Sequence, residues 1–236
     1  MSAYGHLAPF YDRLTEDVDY QSLADHYEQQ ITQNGRQPDL VLDLACGTGR
    51  LTRLLAERGY QMIGTDASAE MLSQAAGEGG DILYLHQSLT TLDLYGTVDA
   101  AICTLDGLNY LPSEDLEQAF RRIFLFLAPG SPFAFDLNTK EKLQRLDGEL
   151  FCDEQEDLLC LWRCQFDETR QTCHYDFDIF EQVKTHWLRH RESHTQYAYT
   201  EPEIRALLEK TGFREVTATG DKDRIFFTAI RPITGE

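Results

Sequence analysis

Two acidic residues and two glycines are spaced so that together they could hold a small polar ligand. Asp43 lies within the apolar run 41–45, and Gly47 and Gly49 follow directly. Glycine has no side chain to keep a ligand away from the backbone, and the first turn of a helix offers free N–H groups. Asp66 follows Asp43 by 23 residues, close to the spacing at which an acid after the next strand reaches a ribose.

The elements around these residues predict a strand, a tight turn and a helix. The run 41–44 is aliphatic on both faces, which is typical of a buried parallel strand. After the glycines, Leu51, Leu54 and Leu55 repeat at helical spacing, and Gly59 marks the end. A dinucleotide site would require a third Gly or Ala where Thr52 stands, and Asp43 would repel a pyrophosphate. A nicotinamide enzyme is therefore a disfavoured alternative.

The segment 41–50 resembles the first motif of the class I S-adenosylmethionine-dependent methyltransferases, in which an acidic residue precedes Gly-x-Gly. That ligand carries an ammonium, a sulfonium and a ribose but no phosphate, which suits these residue types. A glycine turn that serves only to pack the helix on the strand is the alternative. The resemblance implies a set of cofactor-binding residues: Tyr11, Asp43, Ala45, Cys46, Gly47, Gly49, Asp66, Ala67, Met71, Ser88, Leu89 and Leu105.

Two of these assignments rest on further detail. Asp66 would accept both ribose hydroxyls; its alternative role as a helix cap is already filled by Ser68. Where the family commonly has an Asp that receives the adenine amino group, this chain has Gln87 and Ser88. The Ser88 hydroxyl or the Leu89 backbone would make that contact instead.

The first 35 residues contain aromatic side chains that either pack on the domain or cover the cofactor. Tyr4 and the sequence Tyr11-Asp12-Arg13 look like the N-terminal "YD" segment of small-molecule methyltransferases, which often folds over the bound cofactor. The resemblance implies that Tyr11 contacts the cofactor.

Composition limits the possible partners. The 236 residues include 21 Lys and Arg against 40 Asp and Glu, a formal net charge of −19. Such a charge repels polyanions, and no basic patch is seen, so we expect no nucleic-acid partner. We expect no membrane partner either, because apolar runs are short and the N-terminus lacks a signal pattern. Six scattered cysteines favour reduced thiols and a cytoplasmic location, and we expect a monomer or homodimer.

A second group of candidate residues follows the predicted fourth strand, 98–104. The carboxyl ends of parallel strands border the ligand crevice, so the loop 105–111 is expected near the transferable methyl group. This loop is similar to the D-x-x-N-Y-L loop of a bacterial branch related to amino-sugar and small-amine N-methyltransferases. Asn109 and Tyr110 are therefore candidate catalytic residues that orient a nucleophile. Helix capping and packing is an equally weighted alternative.

After the fifth strand, 131–138, about sixty residues interrupt the alternation of strands and helices. Period-two patterning predicts strands at 158–166, 172–180 and 187–199, in an antiparallel sheet that covers the pocket. On the third strand, one face carries His186, His190, Glu192, His194 and Gln196. We rank a hydrated outer face first and a general base, Glu192 or His194, second. A metal site is a distant third, and we predict none.

Together the patterns predict an α/β protein: a Rossmann-like class I methyltransferase with a seven-stranded, mostly parallel sheet whose last strand is antiparallel, plus a small antiparallel β insert. Residues 1–138 and 200–236 would form the S-adenosylmethionine-binding domain with an N-terminal helical cap, and 139–199 an acceptor lid. The expected reaction is methyl transfer to a small-molecule acceptor, an amine or hydroxyl, by in-line displacement. Action on protein or RNA, or cofactor binding without turnover, are the alternatives.

Overall fold

The computed structural model describes residues 4–233, and eleven strands in two sheets lie within that range. In chain order the strands are β1 (Leu40–Leu44), β2 (Gln61–Asp66), β3 (Leu83–His86), β4 (Ala100–Cys103), β5 (Pro132–Asn138), β6 (Leu150–Glu154), β7 (Leu158–Asp167), β8 (Thr172–Val183), β9 (His186–Tyr197), β10 (Arg214–Gly220) and β11 (Arg224–Ile230). The α-helices are α1 (Tyr11–Leu14), α2 (Tyr20–Ile31), α3 (Arg50–Glu57), α4 (Ala69–Gly77), α5 (Ser113–Phe126), α6 (Lys140–Arg145) and α7 (Glu201–Thr211). Short 3₁₀ turns cover Ala8–Phe10, Gln33–Gly35, Leu89–Thr91 and Gly107–Tyr110.

The main sheet has the strand order β10–β11–β5–β4–β1–β2–β3. β11 runs antiparallel to both of its neighbours, whereas β1 to β5 pair in parallel. The predicted seven-stranded, mostly parallel sheet with an antiparallel last strand is therefore confirmed. Its strands β1, β4 and β5 lie at the centre and are almost wholly buried, as expected for a parallel sheet covered on both faces.

Successive residues of the central strands belong to two hydrophobic cores, one on each face of the sheet. Val41 and Ile102 pack with α2 and α3, and Leu42 and Phe133 pack with α5 and α7. The period of two along each strand sends alternate side chains to opposite faces. The two layers of helices hold the sheet rigidly, so the loops at its carboxyl edge have fixed starting points.

The insert is an antiparallel sheet in the order β6–β7–β8–β9, which we call the lid sheet. The three predicted strands are present, and β6 is a fourth strand that the prediction missed. β6 is only five residues long and pairs with β7, and its alternation is too short to stand out from the preceding loop. Among the residues described, no helix is long and apolar enough to cross a membrane.

Candidate functional site

A cavity of about 1110 Å³, its open mouth included, lies at the carboxyl ends of β1, β2 and β4; we call it the edge cavity. The loops that leave these strands form its walls, because parallel strands all end at this edge. Ten of the twelve residues predicted to bind a cofactor line it: Tyr11, Ala45, Cys46, Gly47, Asp66, Ala67, Met71, Ser88, Leu89 and Leu105. The structure thus brings together residues that are spread over almost 100 positions of the chain.

Asp43 and Gly49 are not among the lining residues. Gly49 has a left-handed φ of 71°, and a Cβ there would overlap the ring of Tyr84, so packing and turn geometry account for this glycine. Asp43 is buried, and its Oδ2 accepts a hydrogen bond from Thr52 Oγ1 at 2.6 Å. Thr52, which breaks the dinucleotide pattern, therefore serves as the partner of this acid.

The second oxygen of Asp43, Oδ1, is buried without a hydrogen-bond partner in the described part of the chain. Burial raises the pKa of Asp43 to about 7, against the opposing effect of the Thr52 hydrogen bond. A buried, unpartnered carboxylate oxygen close to the glycine turn is an electrostatic environment that favours a cation over a phosphate.

Asp66 lies in the cavity wall, where β2 ends. Its Oδ1 accepts from the backbone N–H of Ser68 at 2.8 Å and its Oδ2 from that of Gly47 at 2.9 Å. Burial raises the pKa of this carboxyl, although these N–H groups act in the opposite direction. Ser68 caps α4 through its side chain, as predicted. The carboxylate is thus fixed in orientation and retains lone pairs for a ligand.

Strained backbone is concentrated at the same edge. Ala45, Leu105 and Asp106 have positive φ values of 53°, 53° and 59°, each at a cost of about 1–3 kcal/mol for a residue other than glycine. The buried carboxylate of Asp136 accepts the N–H groups of Leu105 and Asp106 at 2.9 and 3.1 Å. This carboxylate holds the loop after β4 in its strained conformation, so part of the cavity wall is formed before any ligand binds.

Three of the four candidate catalytic residues form one hydrogen-bonded chain with Tyr4, which we call the hydroxyl–imidazole chain. The hydroxyls of Tyr4 and Tyr110 are 2.6 Å apart. Tyr110 Oη lies 3.2 Å from His194 Nδ1, and His194 Nε2 lies 2.7 Å from Glu192 Oε1. Tyr4 and Tyr110 line the edge cavity, and His194 and Glu192 stand behind them.

A hydrated outer face, our first interpretation of β9, is wrong for its carboxyl half. His194 and Gln196 are buried, and the Glu192 side chain is 8% exposed, whereas His186 at the amino end is exposed. The strand is covered only where it crosses the main domain. Within residues 4–233, no group of three or more His, Cys, Asp or Glu is placed to hold a metal ion.

Glu192 also binds the N-terminal segment 4–15, which we call the strap. Its carboxylate accepts backbone N–H groups of Tyr4, His6 and Leu7. Burial acts to raise the pKa of Glu192, but the hydrogen bonds from His194 and these N–H groups prevail and lower it. Glu192 is therefore ionised at neutral pH and anchors the strap.

The structure does not place Asn109 in the lining of the edge cavity. Its Nδ2 donates to the carbonyls of Tyr197 and Asn138, and its Oδ1 accepts the N–H of Asn138. The side chain is fully buried, and its amide links the loop after β4 to β5 and the end of β9. The packing alternative therefore describes Asn109, and the orienting role that we gave it is corrected.

A second cavity of about 750 Å³, the lid cavity, lies between the lid sheet and the loop after β4. Tyr110 lines both cavities, so they share one wall. One side of the lid cavity is aromatic and the other polar: its lining includes Phe151, Trp162, Tyr175 and Phe177 as well as Asp106, Asn138, Lys142 and Gln196.

Several residues of this site escaped the sequence prediction. Asp12 accepts a hydrogen bond from Thr48 Oγ1 at 2.6 Å, which ties the strap to the glycine turn. Arg50 lines the edge cavity with its guanidinium 4.3 Å from the Tyr20 ring centroid. Arg224 pairs with Asp106 at 3.0 Å. In the sequence, only the aromatic and acidic N-terminal segment and the motif in the loop 105–111 gave any indication of these residues.

The sequence also showed no basic patch, but the structure places three cations along an outer groove beside α7. Lys140, Arg170 and Lys210 line this groove together with Glu203. Lys210 is paired with Glu117 at 2.7 Å. The groove is separate from the two cavities and contributes no residue to them.

Comparisons with known proteins agree with this architecture. A family model described as "Methyltransferase domain" matches residues 41–130. A Bacillus subtilis chain named as a methyltransferase, YqeM, is 29% identical over 96% of both chains. A crystal structure of an S-adenosylmethionine-dependent methyltransferase from Clostridium acetobutylicum superposes with a TM-score of 0.85 at 27% identity, covering 97% of this chain and 99% of the other.

Two further relatives have acceptors in their names. The glycine/sarcosine N-methyltransferase of Parasynechococcus marenigrum is 23% identical over 94% of this chain and 80% of its own. The sugar N-methyltransferase KedS8 from Streptoalloteichus shares the fold, with a TM-score of 0.87 at 19% identity over 98% of this chain and 95% of its own.

Proposed function

We propose that this chain, a class I S-adenosylmethionine-dependent methyltransferase with S-adenosylmethionine as its cofactor, methylates a small-molecule amine or hydroxyl. The observation that carries the proposal is the lid cavity, which shares Tyr110 with the edge cavity and is bounded on one side by the lid sheet. A cavity of this size suits a small molecule better than a protein segment or RNA. Relatives named for glycine and for a sugar amine as acceptors support the same class.

In this proposal the edge cavity holds the cofactor. The Asp66 carboxylate accepts the ribose hydroxyls, and Gly47 lets the backbone approach the ligand. Asp43 does not line the cavity, but the charge on its unpartnered oxygen attracts the cofactor's amino group. The Arg50 guanidinium pairs with the cofactor's carboxylate. Tyr11 and Leu105 shield the reacting end from water. When bound, S-adenosylmethionine supplies an electrophilic methyl group on a positively charged sulfur.

The hydroxyl–imidazole chain would receive the proton that the acceptor loses. The ionised Glu192 accepts the N–H of His194 Nε2, which leaves Nδ1 free to accept the Tyr110 hydroxyl proton. Tyr110 itself has a pKa raised by burial and by Asp106, so it stays protonated unless His194 takes its proton. Bound S-adenosylmethionine would supply the methyl group to the acceptor's nitrogen or oxygen, and its sulfur would keep the electron pair of the broken bond. The acceptor's proton moves through Tyr110 to His194.

The remaining rate enhancement would come from alignment and desolvation rather than from an obligatory triad. Proximity and orientation alone are worth up to roughly 7–11 kcal/mol when the reacting atoms are well placed. The strained loop after β4 and the strap are the elements that hold that alignment. A cytoplasmic location, the absence of nucleic-acid and membrane partners, and a monomer or homodimer remain part of the proposal.

The test is calorimetry with S-adenosylhomocysteine and NAD, followed by a screen for homocysteine release. Asp66→Asn should weaken S-adenosylhomocysteine binding about 10- to 100-fold, the worth of one or two charge-assisted hydrogen bonds. The exposed Asp81→Asn is the matched control and should bind normally. Binding of NAD alone would refute the cofactor assignment, and methylation of protein or RNA but of no small amine or hydroxyl compound would refute the acceptor class.

A further inference from the structure

The lid cavity contains a continuous row of aromatic rings. Phe151, Trp162 and Phe177 lie directly opposite one another on β6, β7 and β8. The ring centroids of Phe151 and Trp162 are 5.3 Å apart with planes inclined by 16°, and those of Trp162 and Phe177 are 6.3 Å apart with planes inclined by 26°. All three are half-buried. The row therefore presents an apolar aromatic surface to the cavity, against which a ring can pack.

The same cavity contains a cation that lacks a carboxylate partner. Lys142 Nζ donates to the amide oxygen of Asn138 at 2.8 Å, and it takes part in no ion pair within residues 4–233. The neighbouring Arg224 is different, because it is paired with both Asp106 and Asp136. Burial lowers the pKa of Lys142, against the opposing effect of the nearby carboxylates of Asp106, Asp223 and Asp136. An anionic group within hydrogen-bond distance of its Nζ would supply the direct ion pair that it lacks.

A base at the shared wall completes the arrangement. Tyr110 lines the lid cavity together with the aromatic row and Lys142, and its hydroxyl leads to His194 and Glu192. A ring on the row would therefore have a cationic contact at Lys142 and a proton acceptor at Tyr110. An acyclic amine would leave the row in contact with water, and a ring without an acidic group would leave Lys142 without a direct ion pair.

We propose that the acceptor is a ring-bearing amine with an acidic substituent, a carboxylate or a phosphate. The ring packs against Phe151, Trp162 and Phe177, the acidic group binds Lys142, and the amine nitrogen reaches Tyr110. This inference rests on the proposed function, since it takes the lid cavity as the acceptor site.

The chain's two tryptophans make a direct test possible. Trp187 is exposed near the tip of the β8–β9 hairpin, so Trp187→Phe leaves Trp162 as the single tryptophan reporter. With S-adenosylhomocysteine bound, this protein is titrated with 4-(aminomethyl)benzoate against benzylamine, and with glucosamine 6-phosphate against glucosamine. The acyclic acid β-alanine is the fifth probe. We expect at least one acidic ring compound to quench Trp162 and to bind about 10- to 100-fold more tightly than its counterpart without the acidic group and than β-alanine.

Two lysines of the same helix provide matched variants. Lys142→Met should abolish the preference for the acidic ring compound, whereas Lys140→Met, which lines the outer groove instead, should retain it. A preference within the benzoate pair would identify the acidic group as a carboxylate, and a preference within the glucosamine pair would identify it as a phosphate. The inference would be overturned if neither acidic ring compound bound, or if the two members of each pair bound with equal affinity. It would also be overturned if β-alanine bound as tightly as the acidic ring compounds, or if both lysine variants lost the preference equally. S-adenosylhomocysteine binding is measured first in each protein, so failure of the proposed function is detected separately.

Discussion

Asp43 is a residue whose ionisation is linked to folding. Its carboxyl is buried, with one hydrogen bond from Thr52 and an unpartnered second oxygen. The folded pKa of about 7 lies above the ordinary value for an unfolded Asp, about 3.9. Folding therefore favours the protonated form. The stability that this group contributes is fully present below about pH 4 and is lost as the pH rises to about 7, since ionisation then places a charge in the interior.

Asp43→Asn should remove this dependence. The amide keeps an acceptor for Thr52 and carries no charge, so the variant should gain stability relative to the wild type between pH 5 and pH 8. The gain should be a few kcal/mol at most, because each unit of pKa shift is worth about 1.4 kcal/mol. Urea unfolding of the ligand-free protein across this pH range measures it. Asp39→Asn, an exposed position beside the same strand, is the control, and its free energy of unfolding should vary with pH as that of the wild type does. If the Asp43→Asn curve were also parallel to the wild type, the raised pKa assigned to Asp43 would be contradicted.

At the scale of elements, the strap joins the lid sheet to the main domain. Glu192 of β9 accepts its backbone N–H groups, Asp12 accepts the hydroxyl of Thr48 at the glycine turn, and Arg13 pairs with Asp157 at 2.5 Å. The strap also supplies Tyr4 and Tyr11 to the wall of the edge cavity. Closure of the cavity thus depends in part on Glu192, a carboxylate that belongs to a different sheet.

Glu192→Gln should loosen the strap. A neutral amide accepts the N–H groups less strongly than a carboxylate, because charge-assisted hydrogen bonds are roughly twice as strong. We expect faster tryptic cleavage after Arg13 and weaker S-adenosylhomocysteine binding, about tenfold. Glu181→Gln on β8, a half-exposed lid residue, is the control. A fall in kcat at unchanged cofactor affinity and unchanged cleavage would assign Glu192 to the proton relay alone.

At the scale of the whole molecule, Arg224 links the last strand to the site. Its guanidinium pairs with Asp136 at the end of β5 and with Asp106 in the loop after β4. Asp136 is fully buried and also accepts the hydroxyl of Tyr27 from α2 at 2.5 Å. The antiparallel strand, two central loops and one covering helix therefore meet at one group of charges, and the geometry of the cavity depends on all of them.

Arg224→Met should destabilise the protein by about 3 kcal/mol, because removing one partner leaves buried carboxylates uncompensated. Arg145→Met removes a pair with Asp223 in which both side chains are nearly half-exposed, so it should cost less than about 1 kcal/mol. Denaturant unfolding at neutral pH compares the two variants. Similar losses would show that the Arg224 network is not energetically central.

The sequence alone was sufficient for the order and type of most elements. The change of period from two to 3.6, the glycines after β1 and the Ser68 cap all depend on residues within one or two turns of each other, so local chemistry encodes them. The same holds for the capping box of Thr200 and Glu203 at the start of α7. Ten residues that line the edge cavity were implied by the resemblance to the methyltransferase motifs, and most of them follow strands whose carboxyl ends meet at one edge of the sheet.

Only the tertiary structure determined which side chains contact one another when they are far apart in the sequence. The strap and Glu192 are separated by as many as 188 positions, and Tyr110 and His194 by 84, so no local pattern can report their contact. Period two groups the side chains of β9 on one face but does not say whether that face meets water or protein. Likewise, the sequence shows Asn109 only as a polar residue in a loop, and its hydrogen bonds to β5 and β9 depend on the tertiary packing. Periodicity is a property of neighbours in sequence, whereas burial is a property of neighbours in space.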